Sequence, residues 1–325
     1  MEILNPSALR ARGAGAAERC RAGNRRLVLI YCGALALLTL GSNGLHLYLD
    51  THIGGTGGLS GMGMRSMLQT VQQVLVYINI FFGPFWSAGF LYAMLVMVRG
   101  LDPDAGDLTE GFCRFGRVLG QTVFEFLTLM VLAIAVANVA SVIFARTPLG
   151  ADFAQQMEPL LSDPAILTAE GVLDMSKIPT DALLPAAVPL LILTGLLLIP
   201  AYIWVAYSFR MAVYLVMERP IGGMRACMES MRLMRGHKWQ MFRLDLSFWR
   251  YHGLTLLITM VGNLDSILNL LGITLPVDST VLFFLSVVAY YLLWTGLCLW
   301  KKCQVDAAYV LAYEAIAHPE KIECE

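Results

Sequence analysis

Charged side chains are scarce in this sequence. Only 14% of its 325 residues are Asp, Glu, Lys or Arg, against roughly 25% in soluble domains. Hydrophobic residues make up 57%, and they come in blocks that match the roughly 20 helical residues needed to cross a bilayer core. That pattern excludes an ordinary soluble domain. The formal net charge is −1, so whole-molecule electrostatics predict no nucleic-acid partner. Catalytic signatures are missing too: there is no G-x-x-x-x-G-K-[ST], no H-E-x-x-H and no G-x-S-x-G. The five histidines, His46, His52, His237, His252 and His318, are scattered. His52, Met62, Met64 and Met67 offer soft donors, but nothing in their spacing fixes a geometry. The cysteines show no spacing suited to zinc. No catalytic, cofactor-binding or metal-ligating residue is assigned, no cofactor is expected, and an enzyme is the weaker reading.

What is present reads as an all-α polytopic helical membrane protein with six transmembrane helices and short amphipathic cytoplasmic helices. Residues 1–26 form a basic cytoplasmic head, predicted as a weakly amphipathic helix broken at Gly13, Gly15 and Gly23. A basic start before an apolar run resembles a secretory signal. Here the head is long for that role, and the run that follows is long enough to span. Residues 27–317 form the membrane domain. Its spans are predicted at about 27–49, 71–98, 118–145, 183–217, 244–261 and 281–300. Pro84 and Pro200 lie inside two of them and should kink them. The loop 146–182 is outer and acidic, with a short helix expected from Ala151 to Leu161. The last helix should continue past Lys301 and Lys302 as an amphipathic tail to about Ala317, leaving 318–325 as a C-terminal tail.

The cations set the orientation. With six spans, 18 Lys and Arg fall on the side of the termini and three (Arg65, Arg146, Lys177) on the other. The positive-inside rule then puts both termini in the cytoplasm of a multi-pass cell-membrane protein. Cysteine agrees: Cys20, Cys113, Cys227, Cys303 and Cys324 fall inside and Cys32 and Cys298 within spans, which leaves no outer disulfide.

The most distinctive stretch connects the fourth and fifth spans. Residues 220–238 are predicted as a basic inner helix, with Pro220 in its first turn and Gly236 as its stop. Met224, Cys227, Met228, Met231 and Met234 recur at spacings of three and four, hence on one face. Arg225, Glu229, Arg232 and Arg235 fall largely off that face. One reading lays the helix in the interface, apolar side down, with anionic headgroups contacted by Arg225, Arg232, Arg235, Lys238, Trp239 and Arg243. The other packs it on the bundle as an ordinary loop helix.

The same stretch reads S-x-x-L-M-x-G-x-K-W-x-x-F-x-L-D-L-S-F from Ser230 to Phe248. This order resembles an uncharacterised family of bacterial polytopic integral membrane proteins, catalogued only as a domain of unknown function. The resemblance extends loosely to Ser7–Arg26 and to the region from Ala308-Tyr309 to Tyr313-Glu314. Family members commonly carry a Pro-Tyr pair near the inner end of the last span, where this chain reads Trp300-Lys301-Lys302. The resemblance implies a topology and no activity.

Ionisable residues inside spans are costly and usually paired or functional. Glu125, Arg210 and Arg250 are each predicted roughly 10 Å below the cytoplasmic surface. They form a candidate buried charge cluster with Asp245 close by; alternatively each arginine snorkels separately to the headgroups. Two functions remain. One is a non-enzymatic membrane protein binding membrane lipids, or a membrane-protein partner, through its basic cytoplasmic face. The other is a small solute or ion transporter using kinked helices and buried charges.

Overall fold

The computed structural model describes residues 5–52, 59–161, 180–273 and 279–319. Among these every regular element is helical, and the chain is all-α. In order, the helices are α1 (Pro6–Arg19), α2 (Arg21–His52), α3 (Leu59–Val98), a 3-10 turn (Ala105–Thr109), α4 (Glu110–Cys113), α5 (Phe115–Ala145), α6 (Pro148–Leu161) and α7 (Thr180–Phe209). There follow α8 (Ala212–Glu218), α9 (Gly223–Leu233), α10 (Lys238–Ser247), α11 (Trp249–Gly262), α12 (Leu264–Leu270), α13 (Ser279–Leu297), a π-helical turn (Cys298–Lys302) and α14 (Cys303–Ala317). The predicted loop segments 53–58, 162–179 and 274–278, and the tail from residue 320, lie outside the described residues, as do the side chains of His52, Met62 and Met64.

Among the described residues, five helical stretches are long and apolar enough to cross a membrane: Arg21–Leu45, Gln69–Val98, Phe115–Ala145, Val188–Glu218 and Val281–Ala317. They cover five of the six predicted spans. The stretch predicted as 244–261 is divided instead. Phe248 leaves helical geometry between α10 and α11, and α11 has 14 residues, about 21 Å at 1.5 Å each. That is short of a core of roughly 30 Å. Local chemistry explains the division. Asp245 turns its carboxylate to the Tyr309 hydroxyl at 2.6 Å. At the far end the Asn263 side chain folds back to the Thr259 carbonyl at 2.8 Å, the local bonding that makes Asn a helix breaker.

The chain forms two compact units: residues 1–122 with 211–325, and residues 123–210. In the first, α1 lies along α14, α2 along α3, and α11 along α13; α3 also meets the 3-10 turn, α4, α8 and α14, while α8 meets α9 and α1 meets α10. Gly262 backs onto the Tyr290 ring while His252, ten residues earlier, bonds Tyr309, so α11 and α13 run antiparallel. The core follows from these contacts. Phe90, Met94, Leu95, Met97, Leu108, Leu215, Met217, Met234 and Tyr313 are all fully buried, each contributing about 1.5–3 kcal/mol. They gather where the head, the 99–122 connection, the 211–247 connection and α14 meet. Burial concentrates there for a physical reason: apolar surface is driven together only where water is the alternative, whereas lipid solvates it. In the second unit, Phe124 on α5 meets Phe209 on α7 edge-on, ring centroids 6.0 Å apart. Outward side chains such as Leu191, Ile192, Leu196 and Trp204 remain exposed.

Two sequence expectations are corrected. Helix α1 is not broken at Gly13 or Gly15, nor α2 at Gly23; the break falls at Cys20. Gly13 is there for contact: a Cβ on it would lie 2.9 Å from the Gln304 carbonyl oxygen and 3.0 Å from the Ala308 nitrogen on α14. And α14, predicted as an amphipathic tail, is a core helix. Val305, Ala308, Val310, Ala312 and Tyr313 are buried, and Asp306 is turned inward as well.

Candidate functional site

The basic connection begins at a turn, Arg219–Gly222, that contains Pro220, so the helix starts three residues later than predicted. It ends at Leu233, three residues before the predicted stop Gly236, which has φ +91°, a conformation glycine adopts without penalty. Helix α9 divides its surface three ways. Gly223, Ala226, Cys227, Ser230 and the following Met234 are buried. This small-residue face lets backbone meet backbone: a Cβ on Gly223 would fall 2.0 Å from the Gln121 nitrogen. Ser230 Oγ accepts from the Met211 amide at 3.1 Å. Met224, Met228 and Met231 form an exposed shoulder, with Arg225 and Arg232 exposed beside them. The methionine stripe read from the sequence is therefore split, Cys227 and Met234 entering the protein and three methionines staying outside.

Helix α10 carries exposed side chains as well. Trp239 is 68% exposed and stacks on Phe242 with centroids 5.2 Å apart. Arg235 and Arg243 are exposed. Lys238 is half-buried, and burial lowers its pKa.

Behind α9 lies an ion network that sequence reasoning missed. Glu218, at the end of α8, is bonded by the Arg99 guanidinium and the Tyr313 hydroxyl. His318 Nε2 lies 3.2 Å from its carboxylate. Arg99 also reaches Glu314, Nη2 to Oε1 at 2.6 Å and Nε to Oε1 at 2.8 Å. Burial works against the Arg99 charge, but the Glu314 and Glu218 carboxylates outweigh it and raise its pKa. Arg219 pairs with Glu229 at 2.7 Å, Arg114 bonds the Met217 carbonyl, and Arg117 bonds that of Arg219 at 3.3 Å. Together these bonds fix the turn that launches α9. The available signals were Glu218, an acid closing an apolar run among cations, and the Tyr313-Glu314 pair inside the family resemblance.

Sequence alone counts Lys302 with the inner-face cations. The π-helical turn, which re-aims side chains by one extra residue per turn, directs it inward. Its ammonium lies 3.0 Å from Asp306, 4.8 Å from the Phe90 ring centre and 5.3 Å from that of Tyr31. Cys32 and Cys298 are buried free thiols. Among the described residues no group of three or more His, Cys, Asp or Glu is placed to hold a metal ion.

The candidate buried charges divide between the units. Glu125 on α5 and Arg210 after α7 belong to the second unit and are half-buried; Arg210 stands over the Tyr207 ring at 5.4 Å. Asp245 and Arg250 belong to the first. Asp245 accepts from Tyr309, whose oxygen also lies 3.1 Å from His252 Nε2. Arg250 is exposed and stands over Trp249 at 5.7 Å.

The family model for DUF975, described as a protein of unknown function, matches residues 58–318. The matched region takes in α3 to α14, including Ser230–Phe248 and Tyr313-Glu314, and leaves α1 and α2 outside it. No curated protein matches the chain, and no solved structure does. With most of its length matched, including the basic connection and the network behind it, the chain belongs to the DUF975 family of proteins of unknown function.

Proposed function

We propose that this protein is a non-enzymatic cell-membrane protein, both termini cytoplasmic, that holds anionic lipid headgroups against its basic face. One observation carries the reading: α9 and α10 expose Met224, Met228, Met231 and the Trp239–Phe242 pair alongside Arg225, Arg232, Arg235 and Arg243. An apolar shoulder bordered by cations is the surface of a helix lying in an interface. Its buried face of small residues anchors it to the protein, so the two sequence readings of this helix are complementary.

Crossing parity supports the orientation. The head, the 99–122 connection, the 211–247 connection and α14 gather at one end of the first unit. An even number of crossings then separates each from the next. We assign α11 with α12 as the fifth of six crossings, interrupted at Asn263 and antiparallel to α13. Interrupted helices are tolerated at membrane depth where protein covers them.

The test uses protein reconstituted in vesicles and compares the association of spin-labelled phosphatidylglycerol with that of spin-labelled phosphatidylcholine. The wild type should prefer the anionic lipid. Arg225→Gln, Arg232→Gln and Arg235→Gln together should remove up to about 1 kcal/mol per charge, and raised salt should mimic the change. Equal association of the two lipids with the wild type would refute the reading.

A further inference from the structure

A second basic site lies away from α9. We propose that a cavity between α1, the start of α11 and the π-helical turn binds the phosphate of one anionic phospholipid headgroup. This deepens the lipid-binding function proposed above and rests on it.

The cavity has a volume of about 720 Å³, within the range of small-ligand sites and several times that of a bare phosphate. Three segments remote in sequence converge on it: the start of α1, the junction of α10 with α11, and the π-helical turn leading into α14. Its cations are Arg10, Arg250 and Lys301, and among the described residues no carboxylate lines it. Each cation is held over an aromatic ring. Arg10 lies 5.4 Å from the Phe248 centroid, Arg250 5.7 Å from that of Trp249, and Lys301 5.3 Å from that of Trp300. The Lys301 ammonium also donates to Gln304 Oε1, on α14, at 2.8 Å. Among the described residues, none of the three cations is salt-bridged to a carboxylate.

The position of the cavity selects the ligand. Trp249 opens α11 and Trp300 closes the apolar run of α13, and they are 61% and 58% exposed. Paired tryptophans at the ends of antiparallel membrane helices mark the headgroup level, where a lipid phosphate lies. Basic pockets between such helices on the cytoplasmic side are suited to anionic headgroups. The rings restrict the cations in place and leave their N–H groups to a phosphate oxygen.

The experiment is native mass spectrometry of the full chain, purified and loaded with phosphatidylglycerol or phosphatidylcholine. The wild type should retain one phosphatidylglycerol in preference to phosphatidylcholine. Arg10→Gln, Arg250→Gln and Lys301→Gln should each weaken retention about five-fold, whereas Arg250→Lys, which keeps the charge, should largely preserve it. The Arg225, Arg232 and Arg235 triple variant should still retain this one lipid, which separates the cavity from the α9 face. If all three cavity variants retained phosphatidylglycerol like the wild type while the α9 variant lost it, the cavity assignment would fall and the broader reading would stand. If the wild type showed no preference for the anionic lipid, both would fall. Displacement of the lipid by millimolar inorganic phosphate would overturn the lipid assignment in favour of a free-phosphate site.

Discussion

Replacing Arg99 by methionine should destabilise the protein by leaving two carboxylates facing each other. Glu218 and Glu314 both bond the same Arg99 nitrogen, so their oxygens lie within about 5 Å of one another. Two unit charges at that separation repel by about 3 kcal/mol at an effective dielectric of about 20. Both carboxylates are largely enclosed, with side chains 15% and 17% exposed, but Arg99 is 39% exposed, and water entering its place screens the repulsion. We therefore expect a loss of about 1–2 kcal/mol from repulsion, plus the lost charge-assisted hydrogen bonds. Glu218 keeps Tyr313 and His318 as partners, so the site should not collapse. The assay is a double-mutant cycle of Arg99→Met and Glu314→Gln, with unfolding measured in one detergent at fixed protein concentration. The double variant should be more stable, by at least about 1 kcal/mol, than the two single losses added together would make it. Additivity within about 0.3–0.5 kcal/mol would show that the two residues do not interact, and the network would lose its role in fixing the turn before α9.

Gly13→Ala should cost about 1–3 kcal/mol by overpacking α1 against α14, whereas Gly15→Ala, whose Cβ meets nothing within 4 Å, should be neutral or stabilising by up to about 1 kcal/mol; equal effects in thermal unfolding would contradict the α1–α14 contact. Burial, then the bond to Asp102 at 3.2 Å, raises the Cys20 pKa. Less thiolate is then present at a given pH, so Asp102→Ala should speed alkylation of Cys20 at about pH 8, as read by peptide mapping; an unchanged rate would remove the Asp102 contribution. Because Arg250 is exposed over Trp249, the losses from Glu125→Gln and Arg250→Met should add. For the proposed buried charge pair, Glu125→Gln and Arg210→Met should couple by more than about 0.5 kcal/mol. Additive losses for both pairs would leave each charge snorkelling alone.

The long apolar runs make the helical class and five spans legible, because a run of that length has one economical structure in lipid. Periodicity is less informative about what each face meets. Met224, Cys227, Met228, Met231 and Met234 share a helical side, yet whether such a side meets lipid or protein depends on small neighbours, Gly223, Ala226 and Ser230, that carry little hydrophobic signal. Gly13 misleads because close packing and helix breaking leave the same mark in sequence. Lys302 misleads because a π-helical turn shifts the register of everything before it relative to everything after. The cavity of Arg10, Arg250 and Lys301 is invisible in sequence for a simpler reason: its cations lie on segments that only the tertiary fold brings together.

A helix α9 lying on the membrane surface with its methionine shoulder toward lipid would place its two sides at different depths, which site-directed spin labelling reads. Spin labels would be placed singly by Met228→Cys, Met231→Cys and Arg235→Cys in protein carrying Cys20→Ser, Cys113→Ser and Cys324→Ser, reconstituted in vesicles. Labels at 228 and 231 should be more accessible to oxygen, which concentrates in the bilayer, and the label at 235 more accessible to a water-soluble nickel chelate. Labels at 228 and 231 as accessible to the chelate as the label at 235 would show that α9 does not lie with its methionines in lipid.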